Sequence, residues 1–319
     1  MHSRGYRHRK KHCKRKIFLL AAAFILLIYL LIRLFWGGET GIFVENPSII
    51  FNPVLLFKDE EEAPNTTDLE ALKEDYYIVD GKTGLDPELF NVDAFLKEDL
   101  TIKLKKNKPK VLLFHTHSHE AFADSRDGVE EDTIVGVGEE LCRILEEDYG
   151  INCLHVTDKF DYVDGSIQIL GAYERMEPVI RQYLKKNKSI EVVIDLHRDG
   201  VAEGTRLVTD INGKTTAQFM FFNGICRMWE NGTLQEIDGL ENPYLKTNLA
   251  FSYVMKQNAD RLYPGLARKI YINAYRYSLH MKPLSTLIEL GAQTNTVEEA
   301  YNACAPLAEV IAETILEKE

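Results

Sequence analysis

The chain has 319 residues, 45% of them apolar and 27% charged, with 38 basic against 49 acidic side chains. This is enough apolar material for one substantial core, and it excludes a chain disordered throughout. The acidic excess argues against nucleic acid as a ligand.

Residues 1–16 hold eight Lys or Arg and no acid, and Ile17 to Ile32 is apolar apart from Tyr29. Leu34-Phe35-Trp36 continues the run beyond Arg33, so residues 17–36 match a bilayer thickness and predict a transmembrane helix. The basic flank places residues 1–16 in the cytoplasm and everything after residue 36 outside. A cleaved signal peptide is the alternative; the length of the run, the lack of a small-residue cleavage site, Arg33 and Trp36 favour an anchor. Setting aside the nine basic residues of the first 36 positions leaves 29 basic against 49 acidic, so the exterior part is strongly acidic. It is a poor ligand for anionic lipid but can accept a neutral or mixed-charge polymer.

Residues 37–107 read as a stalk and docking segment. Lys58 to Thr67 is charged and polar as a solvated linker is, whereas Leu89, Phe90, Val92, Phe95, Leu96 and Leu100 supply a short helix and strand to dock on the main domain. From residue 108 to 319 the periodicity predicts a single domain. Strands are expected at 111–114, 152–156 and 190–195, and helices at 134–149 and 167–186. Strands 206–209 and 218–222 are expected to pair around Asn212-Gly213. A helix at 244–262, strands at 269–272 and 284–289, and a helix at 296–316 complete the order. Thr296 and Glu299 have capping-box spacing, and Pro306 should break or kink the last helix. This alternation predicts an α/β fold, one twisted, mostly parallel sheet with helices on both faces. Cys142, Cys153, Cys226 and Cys304 match no zinc-knuckle spacing; a Cys142–Cys153 disulfide and free buried thiols are both compatible with the sequence.

Three expected strands end in groups that bind or activate a metal. The first ends in His115-Thr-His117-Ser-His119-Glu120, the second in Asp195-Leu-His197-Arg198-Asp199, and the third in Ile288-Glu289-Leu290-Gly291. In a parallel sheet the C-terminal ends share an edge, so the three segments should converge. His117 and Glu120 in one tight turn, with the distant His197, would give a three-ligand zinc site with a position left for water. Asp195 could orient an imidazole, and Glu289 could move a proton. His119, His155 and His280 read as ordinary surface or core histidines, and His115 as either a site residue or a backbone hydrogen-bond partner. Gly136-Val-Gly138 falls inside a helix and lacks the third glycine of a dinucleotide fingerprint.

These blocks, with Val135-Gly-Val-Gly138, Tyr263-Pro-Gly265-Leu266 and Leu287 to Glu299, resemble the stage II sporulation protein P family of membrane-anchored peptidoglycan hydrolases. The resemblance implies a cell-wall zinc amidase-like fold that cleaves the N-acetylmuramoyl-L-alanine amide of peptidoglycan, with cutting of peptide cross-links as a further activity of some members. It implies Zn2+ on His117 and His197; Glu120 is the third ligand from its place in the turn, while the wider amidase superfamily, whose ligand glutamate sits further from the first histidine, leaves Glu131 or Glu139 as alternatives. Glu289 would be the catalytic glutamate, and Arg198 would hold an oxyanion or a stem-peptide carboxylate. It also implies a single-pass protein of the forespore engulfment membrane that works in septal wall thinning with stage II sporulation proteins D and M. A metallocarboxypeptidase or deacetylase, and a non-catalytic wall-binding scaffold, are the rival readings.

Overall fold

Val111–Phe114 (β2) is apolar and buried at all four positions, the pattern of a strand covered on both faces. The computed structural model describes residues 68–317, and β2 lies within its one large sheet. The expected span 17–36, its basic tail and the first part of the stalk lie outside the described residues. Among the described residues no helix is long and apolar enough to cross a membrane.

The elements before β2 are helix α1 (Leu69–Tyr76), strand β1 (Tyr77–Val79) and the short helix α2 (Val92–Phe95). They are followed by α3 (Ile134–Tyr149), β3 (Cys153–Val156), the hairpin β4 (Tyr162–Val163) and β5 (Ser166–Ile167), and α4 (Ala172–Lys186). Then come β6 (Val192–Asp199), β7 (Val208–Ile211), β8 (Lys214–Ala217), β9 (Phe219–Gly224), β10 (Arg227–Glu230) and β11 (Thr233–Glu236). The chain closes with α5 (Leu245–Leu262), β12 (Ile270–Asn273), β13 (Ser285–Ala292) and α6 (Val297–Ile315).

The main sheet has seven strands in the order β1-β12-β9-β13-β6-β2-β3. Every neighbouring pair is parallel except β9 and β13. The sheet therefore consists of two parallel blocks of opposite direction, and β2, β6 and β13 belong to the same block. Their C-terminal ends open on one edge, as the sequence predicts.

Alternation along β6 sorts the core. Val192, Ile194 and Leu196 join a large cluster with Leu141 and Leu145 of α3, Leu249 of α5, and Leu307 and Ile311 of α6. Val193 faces the other way, onto Leu112, Phe114, and Met176 and Ile180 of α4. Helices thus cover both faces. The docking segment is bound firmly: β1 pairs with β12, Phe90, Val92 and Phe95 are buried, and the Ile102 N–H donates to the Ile315 carbonyl at 2.8 Å.

Three expectations need correction. The helix expected over 167–186 begins at Ala172, because Ser166–Ile167 pairs with Tyr162–Val163 as β5. The hairpin around Asn212-Gly213 pairs β7 with 214–217, and Phe219–Gly224 belongs to the main sheet, because its six residues are all buried and pair between β12 and β13. Pro306 does not break α6, which runs through it to Ile315; the buried side chains of Ala303, Leu307, Val310 and Ile311 on that helix outweigh the ~3 kcal/mol cost of an interior proline. The Thr296–Glu299 capping box is present as expected. Cys142 and Cys153 form a disulfide linking α3 to β3, with Cα atoms 5.5 Å apart, while Cys226 and Cys304 are free and buried.

Candidate metal centre

His197 lies on β6 two residues after Asp195, so both side chains leave the same face of the strand. Glu289 of β13 is the register partner of His197, which fixes the two on adjacent strands at the sheet edge. His117 and Glu120 arrive from the turn that follows β2.

That turn is pinned at several points. The buried Asp195 carboxylate accepts the Thr116 N–H at 2.9 Å and the Thr116 hydroxyl at 2.8 Å. Asp161, fully buried, accepts the Ser118 hydroxyl at 2.7 Å, the His119 N–H at 3.0 Å and a further bond from His119 Nδ1. The Glu120 carbonyl accepts from the Ile134 N–H at 2.9 Å, tying the end of the turn to the start of α3.

The result brings three donors together. Glu120 Oε1 lies 3.5 Å from His117 Nδ1, and Glu120 Oε2 lies 3.5 Å from His197 Nδ1. One ligand atom from each residue falls within 4.8 Å of the others, and among the described residues this is the one such group. Glu131 and Glu139 are not part of it; Glu139 instead meets His155 Nδ1 at 2.8 Å. Two imidazoles and a carboxylate are a donor set that suits zinc, and their spacing leaves a cation within reach of all three.

The electrostatics favour that use. Burial opposes charge on His197, but Asp195 and Glu120 outweigh it and hold the imidazolium well above the usual histidine range. His197 Nε2 donates to Asp195 Oδ1 at 2.8 Å, so a cation replacing the Nδ1 proton would meet an imidazole already oriented by its other nitrogen. For Glu120, burial acts to raise the carboxyl, yet His197, His117 and the Arg198 N–H at 2.9 Å hold it well below the carboxylate range.

Glu289 behaves in the opposite way. Burial pushes its carboxyl up to about 8, and although His197 pulls the other way, Glu120, Asp199 and Asp195 add to the rise. Its Oε2 is inaccessible and without a hydrogen-bond partner. An unpartnered acid beside three metal donors is poised to exchange a proton near neutral pH.

The remaining histidines have structural places. His115 Nδ1 donates to the Leu196 carbonyl at 2.8 Å and its Nε2 meets His155 Nε2 at 2.9 Å; burial and the neighbouring His155 push it down to about 3. Its ring fills the space that Gly138 leaves in α3, where a Cβ would stand 2.7 Å from it. The glycines of Gly136-Val-Gly138 thus serve packing. His280 Nε2 lies 3.1 Å from Glu177. Arg198 places its backbone on Glu120 and its guanidinium on two carbonyls, Ala121 at 2.8 Å and Asp199 at 3.2 Å.

Two residues at the site carried no signal in the sequence. Asp161 comes from an irregular segment, and Tyr173 of α4 sets its ring 5.9 Å from that of His117. Burial, followed by the nearby Asp195, Tyr277, Glu289 and Glu120, pushes the Tyr173 hydroxyl well up.

Fold and site together define an α/β protein that carries a two-histidine, one-glutamate donor set on a sheet edge, with a buried glutamic acid beside it. Residues 55–312 match the family described as stage II sporulation protein P (SpoIIP), and the chain belongs to that family. A curated relative, stage II sporulation protein P of Bacillus subtilis (strain 168), is 21% identical over 223 residues, covering 65% of this chain and 51% of the relative. The chain thus spans about half the length of that relative. Among solved structures, the chain is similar to the N-acetylmuramoyl-L-alanine amidase AmiC2 of Nostoc punctiforme, with a TM-score of 0.38 and 14% identity over 66% of this chain and 97% of that one. It is also similar to the CwlD amidase from Clostridioides difficile in complex with the GerS lipoprotein, with a TM-score of 0.39 and 12% identity over 64% and 96%.

Proposed function

We propose that the chain is a zinc-dependent peptidoglycan hydrolase of sporulation that cleaves the N-acetylmuramoyl-L-alanine amide. The observation that carries this reading is the buried, unpartnered Glu289 Oε2 beside the His117, Glu120 and His197 donors. Family membership supports the wall substrate and the sporulation setting. A zinc ion held by the three donors would supply Lewis acidity, polarising a scissile carbonyl and lowering the pKa of water.

The chain's own residues do the rest. Glu120 and Asp195 bring negative charge to the two imidazoles, and Asp195 holds His197 in the tautomer whose Nδ1 faces the site. Glu289 takes a proton from the attacking water at its carboxylate and delivers it to the leaving alanine amine, so that one residue serves as base and then as acid. The bonds from Arg198 to the Ala121 and Asp199 carbonyls support an anchoring role in the loop over a role as oxyanion donor. The predicted segment 17–36 would tether the hydrolase to the forespore engulfment membrane, with stage II sporulation proteins D and M as partners implied by the family resemblance.

The test uses the full-length protein loaded with zinc and incubated with peptidoglycan. Mass spectrometry should find stem peptides that begin with a free alanine amine. Glu289→Gln and chelator treatment should each abolish their release, and zinc should restore it after chelation. Release of single residues would favour a carboxypeptidase, release of acetate a deacetylase, and undiminished activity in Glu289→Gln would refute the assigned base.

A further inference from the structure

Tyr173 extends the metal site toward a second feature. Its ring, 5.9 Å from that of His117, lies 5.6 Å from Tyr277, which stands edge-on to Phe222 at 4.8 Å. Tyr277 has φ 52°, a left-handed conformation that is strained for an aromatic residue. The loop that carries it is seated against Gly224 at the end of β9, where a Cβ would meet the Tyr275 carbonyl at 1.8 Å. Leu279 of the same loop is buried with Phe222 and Leu287. Strain is therefore held by packing at this point, and its result is a fixed aromatic wall running outward from His117.

Beyond that wall is a cavity of about 330 Å³, lined by Tyr173, Tyr275 and Tyr277 with Met176, Leu240 and Arg276. The size is at the lower end of small-molecule sites, and aromatic walls with a few polar groups are their usual lining. Tyr275 is 40% exposed, with Lys82 Nζ 5.5 Å from its ring centroid, so the rest of the ring is what a ligand can reach. Glu177, also on the wall, is shared by Arg181 at 2.8 Å, His280 at 3.1 Å and Arg276 at 3.6 Å, so its charge is met within the protein, while Glu174 on the same wall is exposed and would oppose an anionic ligand. A neutral ligand with apolar C–H faces for the tyrosines and hydroxyl or amide groups for Arg276 and Glu177 matches this lining. A second cleft flanks the 117–120 turn on the side of Ser118 and His119, with Phe122, Arg126, Lys159 and Tyr162 on its wall.

We propose that the Tyr173–Tyr275–Tyr277 cavity is a subsite for an N-acetylhexosamine of the glycan strand. The inference rests on the proposed wall-hydrolase reading for the identity of the ligand. It places the sugar on the aromatic side of the His117, Glu120 and His197 donors.

The test is binding of N-acetylglucosamine tetrasaccharide, a probe without a peptide or a scissile amide, to full-length protein carrying Glu289→Gln, followed by calorimetry. Tyr275→Ala in that background should weaken binding roughly tenfold, the scale of losing one aromatic contact, and Tyr275→Phe should retain it. Zinc content and far-UV circular dichroism of the Ala variant should match the parent, which separates loss of the ring from loss of fold. No binding by the parent, or equal binding by Tyr275→Ala, overturns the inference. Tyr275-dependent binding in a protein whose Glu289 form releases no stem peptide would sustain the sugar subsite while refuting amide hydrolysis.

Discussion

Glu289→Gln separates the titration of the buried carboxyl from its shape, and the protonation chemistry predicts its effect on stability with a definite sign. In the folded protein without metal the carboxyl lies at about 8 against an ordinary 4.5, chiefly because it is buried. A carboxyl raised in this way favours the fold while it keeps its proton. The contribution is complete below pH 4.5 and is lost as pH rises through about 8. At about 1.4 kcal/mol for each tenfold change, the wild type should lose about 3–5 kcal/mol relative to Glu289→Gln across that window. Urea unfolding in the presence of chelator, repeated from pH 4 to pH 9, gives the two curves. They should coincide in shape at low pH and diverge as pH rises, with the Gln variant the more stable in alkali. Zinc should narrow the gap, because a nearby cation offsets the carboxylate charge. Parallel curves across the range would show that burial does not hold Glu289 in its acid form and would refute the raised carboxyl.

Asp195→Asn should weaken zinc binding about 10–100-fold in a competition assay with a chromophoric chelator, because the carboxylate that orients His197 is lost; an unchanged Kd would remove Asp195 from that role. Asp161→Ala leaves the Ser118 hydroxyl and the His119 N–H without their buried acceptor. A loss of about 1–3 kcal/mol in urea unfolding is expected, together with weaker zinc binding, and stability loss with intact zinc affinity would mean that the turn keeps its shape unaided. Gly138→Ala should cost about 1–3 kcal/mol, since its Cβ would stand 2.7 Å from the His115 ring. A neutral result would show that α3 can move away from β2.

Most of the larger elements from β2 onward were readable because local signals agreed, whereas the short hairpins β4–β5 and β10–β11 were not expected. Thr133 caps α3 and Gly150 ends it in the left-handed conformation, so the helix has the predicted bounds. The convergence of His117, His197 and Glu289 was legible for a reason of geometry: strands that run the same way deliver their ends to the same edge. Pairing was harder to read. The Asn212-Gly213 turn announces a hairpin, yet nothing at Ala217-Gln218-Phe219 marks where the hairpin stops and the main sheet resumes. The direction of β9 against β13 depends on long-range contacts, which periodicity does not record. β1 has three residues, too few to show alternation. Asp161 and Tyr173 reach the site from a loop and a helix, at distances along the chain that no motif spacing encodes. Glu120 is favoured over Glu131 and Glu139 by its place in one tight turn, and its carboxylate lies with His117 and His197 in a group whose ligand atoms are within 4.8 Å of one another.

The register of β13 against β6 gives the two sides of the metal centre unequal freedom. His197 and Glu289 are carried by a hydrogen-bonded ladder inside the sheet, and separating them requires the sheet itself to open. His117 and Glu120 are carried by a turn whose hold is a handful of bonds to Asp195, Asp161 and α3. Amide exchange should therefore be slow at residues 193–197 and 286–289 and faster at 117–119. A cation would leave by way of the turn, with the ladder half of its cage still standing.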